Sequence, residues 1–143
     1  MSGPAERASA LPLEAERVPA FERVDLVHVS LPFVKPFSIS TATWTGKETF
    51  LVRVEGGGRV GWGECVADPD PFYAPETTTS ARHVVAEFLL PLVEEGLTFL
   101  ELDERFGHVR GNRMAKAALE NALVDLAAKA KGVPLHELLG GPR

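Results

Sequence analysis

The sequence predicts an α+β domain in which a three-stranded antiparallel sheet is followed by a layer of helices. Three observations carry that reading. Alternating apolar positions cluster in the first half, with Val27, Val29 and Leu31 in one run and Phe50, Val52 and Val54 in another. Three glycines, Gly56, Gly57 and Gly58, separate the run ETFLVRVE from RVGWGEC and supply the positive φ of a hairpin turn. Helical periodicity then dominates from about residue 75 onward, so strands and helices fall in blocks rather than in alternation.

In chain order, residues 1–20 are rich in Ala, Pro, Glu and Arg without sustained apolar periodicity, and are expected to be a disordered extension. A short helix over Leu11–Arg17 is the alternative there, though Pro12 and Pro19 crowd it. A first strand runs through ERVDLVHVSL and ends at Pro32, and residues 33–46 follow as a Ser/Thr-rich loop carrying Phe37 and Trp44. After the hairpin comes VADPDPFYAPET, a rigid proline-rich loop ending where Pro75 can open a helix. The helix SARHVVAEFLLPLVEE presents Val84, Val85, Phe88, Leu89 and Leu92 on one side and should kink at Pro91. Thr98 and Glu101 form a capping box ahead of a short helix with Leu102 and Phe106.

The longest helix signal lies in RGNRMAKAALENALVDLAAKAKG. Ala115, Ala118, Leu119, Ala122, Leu123, Leu126 and Ala130 share one face, and its many alanines invite close approach of another backbone. Asn112 is the expected N-cap and Gly132 the C-terminal glycine, with Pro134 blocking continuation. Lys116 with Glu120, and Asp125 with Lys129, stand four apart and are expected to pair on the wet face. LHELLGG adds one more helical turn.

Composition bounds function by exclusion. The 143 residues are 45% apolar and 24% charged with a formal net charge of −5, an ordinary globular balance without the basic patch that a nucleic-acid surface requires. No apolar run approaches a membrane span, no secretory leader is evident, and the one cysteine, Cys65, fits a reducing compartment, so a cytoplasmic protein is expected. His28, His83, His108 and His136 are scattered and form neither HxH nor HExxH. Cys65 has no neighbouring base and reads as a buried thiol. The glycine run lacks phosphate-loop spacing. No triad, carboxylate pair or metal cluster is legible. The loops 33–46 and 66–75 are long for a small sheet and carry Phe37, Trp44, Phe72 and Tyr73. Those aromatics either serve function or anchor the loops, and the residues alone leave both readings open.

The ordered segments LPFVKPFSISTAT, GWGEC, PDPFYAPET, GNRMAKAALE and GVPLHELLGG resemble the N-terminal capping domain of the enolase superfamily, mandelate racemase/muconate-lactonising group, over residues 22–141. Within it the resemblance is nearest to o-succinylbenzoate synthases and N-acylamino acid racemases. Val124 departs from the Trp common before Asp125 in such proteins. The resemblance implies a capping domain over 21–132, with 133–143 starting the link into a (β/α) barrel that this chain lacks. It implies Mg²⁺ bound by that barrel, a small carboxylate substrate, and enolate chemistry that either eliminates water, toward menaquinone, or returns the proton to the other face. The catalytic and metal residues would all lie on the barrel, so this chain alone is expected to be inactive. In such domains the loops 37–44 and 68–73 close over the barrel mouth. By position the resemblance makes Phe37, Thr41, Asp68 and Tyr73 substrate-facing. Asp68, an acid beside an anionic ligand, is the odd one and could instead turn outward. A muconate cycloisomerase or dipeptide epimerase, or a non-catalytic binding module, are the alternatives; homo-oligomerisation of the full-length enzyme stays open.

Overall fold

The computed structural model describes residues 12–40 and 42–142. A short helix α1 (Pro12–Ala15) leads into strands β1 (Arg23–Ser38), β2 (Thr43–Gly56) and β3 (Arg59–Cys65), an antiparallel sheet in the order β1-β2-β3. Helices α2 (Thr78–Val84), α3 (Phe99–Phe106), α4 (Arg113–Lys131) and α5 (Leu135–Leu138) follow, so the α+β architecture is as the sequence predicts.

Phe50, Val52 and Val54 alternate onto the inner face of β2, and all three are fully buried. On β1 the inward set is Val24 and Leu26, which lie opposite Val54 and Val52. Val27 and Leu31, part of the run that betrays the strand, face the exposed side instead. Gly57 and Gly58 turn the β2–β3 hairpin with φ of 56° and 71°. Against the inner face lies α4, whose Ala115, Ala118, Leu119, Ala122 and Leu123 are completely buried. The alanine face meets the backbone of β3 directly. A Cβ at Gly61 would sit 2.1 Å from the Ala122 carbonyl oxygen, and one at Gly63 would sit 2.0 Å from that of Ala118. The glycines of GWGE are therefore a packing requirement. The side chains of α4 also close the outer edge of β3. Asp125 accepts a hydrogen bond from the Trp62 N–H (2.9 Å), and Lys129 donates to the Val60 carbonyl (2.8 Å), while the two pair with each other at 2.7 Å.

Several expectations change. Residues 12–20 are not a disordered extension: Val18 is buried, exchanges backbone hydrogen bonds with Leu97 and Gly96, and Glu16 accepts from the Phe99 N–H. Apolar burial of one valine, plus pairing with the loop before α3, holds this stretch down despite its composition; residues 1–11 lie outside the described set. β1 does not stop at Pro32. It runs to Ser38 and pairs Phe37 with Trp44 and Ser38 with Thr43 after an irregularity between Pro32 and Phe37, so most of the expected 33–46 loop is an extended hairpin. Helix α2 starts at Thr78 rather than at Pro75, behind an N-cap at Thr77 whose hydroxyl and Ser80 form a reciprocal cap. Pro91 does not kink one long helix. It follows a π-turn over Val85–Leu89, where the Leu90 N–H reaches back to Val85, and sits in a 3₁₀ turn over Leu90–Leu92. This rotation leaves Phe88 half exposed against His83. The Thr98–Glu101 box and the Gly132 terminus, with φ of 72°, are as expected.

Lys116 does not pair with Glu120; its ammonium donates to the Val109 carbonyl at the break before α4. Glu120 is left partly buried, and burial, with a smaller contribution from the Asp103 charge, pushes its carboxyl above the ordinary range. A carboxyl raised in the folded state binds its proton more tightly folded than unfolded. Stability is therefore lost as pH rises from the ordinary glutamate value through the raised one. Glu120→Gln should raise the melting temperature at pH 7, and the gain should vanish below about pH 4, where the glutamate is protonated in both states.

Candidate functional site

The extended β1–β2 hairpin and the loop after β3 meet at one end of the sheet and form a groove of about 340 Å³. Its walls are Phe33, Phe37, Ile39, Trp44 and Tyr73, and its two charged residues are Lys47 and Asp68. The local sequence explains the shape. Pairing of Phe37 with Trp44 across the hairpin brings their rings to 6.0 Å in a stacked arrangement. The Ser38 and Thr43 hydroxyls bond each other at 2.8 Å one step nearer the tip. On the opposite side, the loop is tied at both ends. The Asp68 carbonyl accepts from the Thr78 N–H (2.9 Å), and the Thr78 hydroxyl donates to the Ala67 carbonyl (2.8 Å). At its far end Glu76 accepts from the N–H groups of Met114 and Ala115 at 3.0 and 2.7 Å, and so caps α4 from a distant loop.

Between those ties, Phe72 is 91% and Tyr73 78% exposed, and across the groove Phe37 is 59% exposed. Large aromatics held in the open on a braced framework fit a binding surface better than loop anchoring, since an anchor buries its ring. Of the four residues singled out by sequence, Phe37, Asp68 and Tyr73 line this one groove, while Thr41 lies outside the described residues. Asp68 does not turn outward. Its carboxylate takes a 2.7 Å hydrogen bond from the Lys47 ammonium, which also donates to the Val66 carbonyl at 2.9 Å. Lys47 was not legible as a site residue: in the structure it stands two residues before the buried Thr49, on the β2 face opposite to Phe50, and its sequence context does not set it apart.

Other chemistry is thin. Cys65 is fully buried on the inner sheet face, and burial pushes its thiol up, so it is a core residue and no nucleophile. Among the described residues no group of three His, Cys, Asp or Glu side chains converges to hold a metal ion. No helix among them is long and apolar enough to cross a membrane.

Comparison with known proteins places this geometry. Residues 22–140 match the mandelate racemase / muconate lactonizing enzyme, N-terminal domain. An o-succinylbenzoate synthase of Geobacillus kaustophilus is 46% identical over 125 residues, covering 85% of this chain and 33% of that protein. An N-succinylamino acid racemase of Amycolatopsis is 37% identical over 122 residues, covering 84% of this chain and 33% of its own length. Among solved structures, an enolase superfamily member from Listeria innocua superposes with a TM-score of 0.79 at 34% identity, over 86% of this chain and 34% of that one. The chain thus spans about a third of the length of the curated relatives it matches. With the fold, the matched span and the relatives in agreement, the chain belongs to the mandelate racemase/muconate lactonizing enzyme family of the enolase superfamily, as its N-terminal capping domain.

Proposed function

We propose that this chain is the substrate-capping part of an o-succinylbenzoate synthase or N-acylamino acid racemase, acting on a small carboxylate together with a barrel domain. The observation that supports it most is the groove: aromatics from the β1–β2 hairpin and from the loop after β3 converge on one apolar hollow with a single ion pair in its wall. Such a surface supplies two things to a reaction at a carboxylate. It buries the apolar part of the ligand, and it excludes water when closed over a second domain. The Mg²⁺ that the resemblance implies belongs, on this reading, to the barrel domain. The names of the relatives, a synthase and a racemase, support both activities equally, and the reading keeps both.

The test is a chimera in which residues 22–140 replace the corresponding third of the Geobacillus kaustophilus enzyme. It should retain Mg²⁺-dependent dehydration of the cyclohexadiene substrate, while the 143-residue chain alone should show none. In the chimera, Tyr73→Ala should lower kcat/KM about tenfold, equivalent to roughly 1.4 kcal/mol of lost transition-state binding. Wild-type kinetics for that variant would refute the lid assignment, and turnover by the isolated chain would refute the need for a barrel.

A further inference from the structure

An uncompensated carboxylate in an apolar wall repels an anionic ligand, yet Asp68 stands in the wall of this groove. Lys47 answers it. Its side chain is 27% exposed and that of Asp68 22%, so the pair is largely withdrawn from water. Both partners are fixed from behind. Lys47 is rooted in the central strand opposite Leu31, and its second hydrogen bond goes to the Val66 carbonyl. Asp68 is held through its own carbonyl by Thr78. No other charged side chain lines the groove among the described residues.

We propose that Lys47 is a specificity-determining residue: by cancelling the charge of Asp68 it keeps the groove electrically neutral, so that the groove accepts the apolar acyl or aromatic body of a carboxylate ligand without a penalty for the nearby negative charge. This rests on the groove being a substrate lid. The competing account is that Lys47 is a latch that merely holds the 66–75 loop. The two differ in sign. A latch lost from either side frees the same loop, so Lys47→Met and Asp68→Asn would weaken charged and uncharged ligands alike. Under charge cancellation, Lys47→Met leaves the groove negative and Asp68→Asn leaves it positive, and the two variants move anion preference in opposite directions.

The experiment is an NMR titration of the labelled 143-residue chain with benzoate and with its uncharged isostere benzamide, at low ionic strength, following the ring signals of Trp44 and Tyr73. The quantity read is the ratio of the two dissociation constants, benzoate over benzamide. For the native chain it should lie within about twofold of one; Lys47→Met should raise it about fivefold, Asp68→Asn should lower it about fivefold, and the double variant should return it to within about twofold of the native value. A shift of the same sign in both single variants, an unchanged ratio in both, or no saturable binding of either probe to the native chain would overturn the proposal. Neither probe is turned over. An inactive chimera would therefore sink the proposed function without touching this measurement, and a same-sign shift would sink the role of Lys47 while the chimera still turned over.

Discussion

Gly63→Ala should destabilise the domain by about 3 kcal/mol, at the upper end of the usual cost of overpacking, and lower the melting temperature by roughly 10 °C. The added methyl would stand 2.0 Å from the carbonyl oxygen of Ala118 and 2.9 Å from the backbone nitrogen of Ala122, and neither is the movable end of a side chain. Helix α4 would have to lift from β3, which would also pull Asp125 and Lys129 away from the Trp62 N–H and the Val60 carbonyl. Gly61→Ala should behave alike, since its methyl meets the Ala122 carbonyl oxygen at 2.1 Å. Gly58 provides the control. It has a φ of 71° with nothing within 4 Å of an added Cβ, so Gly58→Ala costs only the left-handed conformation, about 1 kcal/mol. Thermal melts that place Gly63→Ala no lower than Gly58→Ala would disprove the close approach of α4 to β3.

The same contact marks what the sequence discloses and what it withholds. The alanine stripe of α4 announces a close neighbour, because period-3.6 spacing and small side chains are local facts. That the neighbour is the GWGE strand is a tertiary fact, visible only once Ala118 and Ala122 lie over Gly63 and Gly61. The strands of the sheet were legible for a similar reason. Phe50, Val52 and Val54 alternate, and burial follows the alternation. The hairpin tip was less so, because Pro32 reads as a chain breaker, whereas the strand keeps Pro32 in register with Gly46, passes residues 33–36 through an irregular stretch and resumes pairing at Phe37. At the site, Phe37 and Tyr73 stood out as aromatics in long loops and were carried by resemblance. Lys47 and Glu76 did not stand out, since a lysine in a strand and a glutamate after a proline are ordinary until their partners arrive. Those partners are 21 and 38 or 39 residues away in the chain. Capping was legible where it is local, as in Thr98 with Glu101, and illegible where it is not.

Glu76 carries the second large expectation. Asn112 occupies the N-cap position of α4, but its φ is 51° and its side chain makes no capping bond; its amide donates back to the Arg110 carbonyl instead. The second and third N–H groups of the helix go to the two carboxylate oxygens of Glu76. A charged acceptor at the positive end of a 19-residue helix is favoured by both the hydrogen bonds and the helix dipole. Glu76→Ala should therefore cost about 2 kcal/mol, Glu76→Gln about half of that because one amide oxygen cannot serve both donors as well, and Asn112→Gly close to nothing, since glycine accepts the left-handed backbone. Urea denaturation of the three variants tests the order, and an Asn112→Gly loss equal to that of Glu76→Ala would return the cap to Asn112. The consequence reaches the groove, because Glu76 closes the loop that presents Phe72 and Tyr73. Without it that loop keeps only its Asp68–Thr78 end. Amide exchange across residues 69–76 should accelerate, and in the chimera KM should rise more than kcat falls, since the loop would have to be reordered each time a ligand is captured.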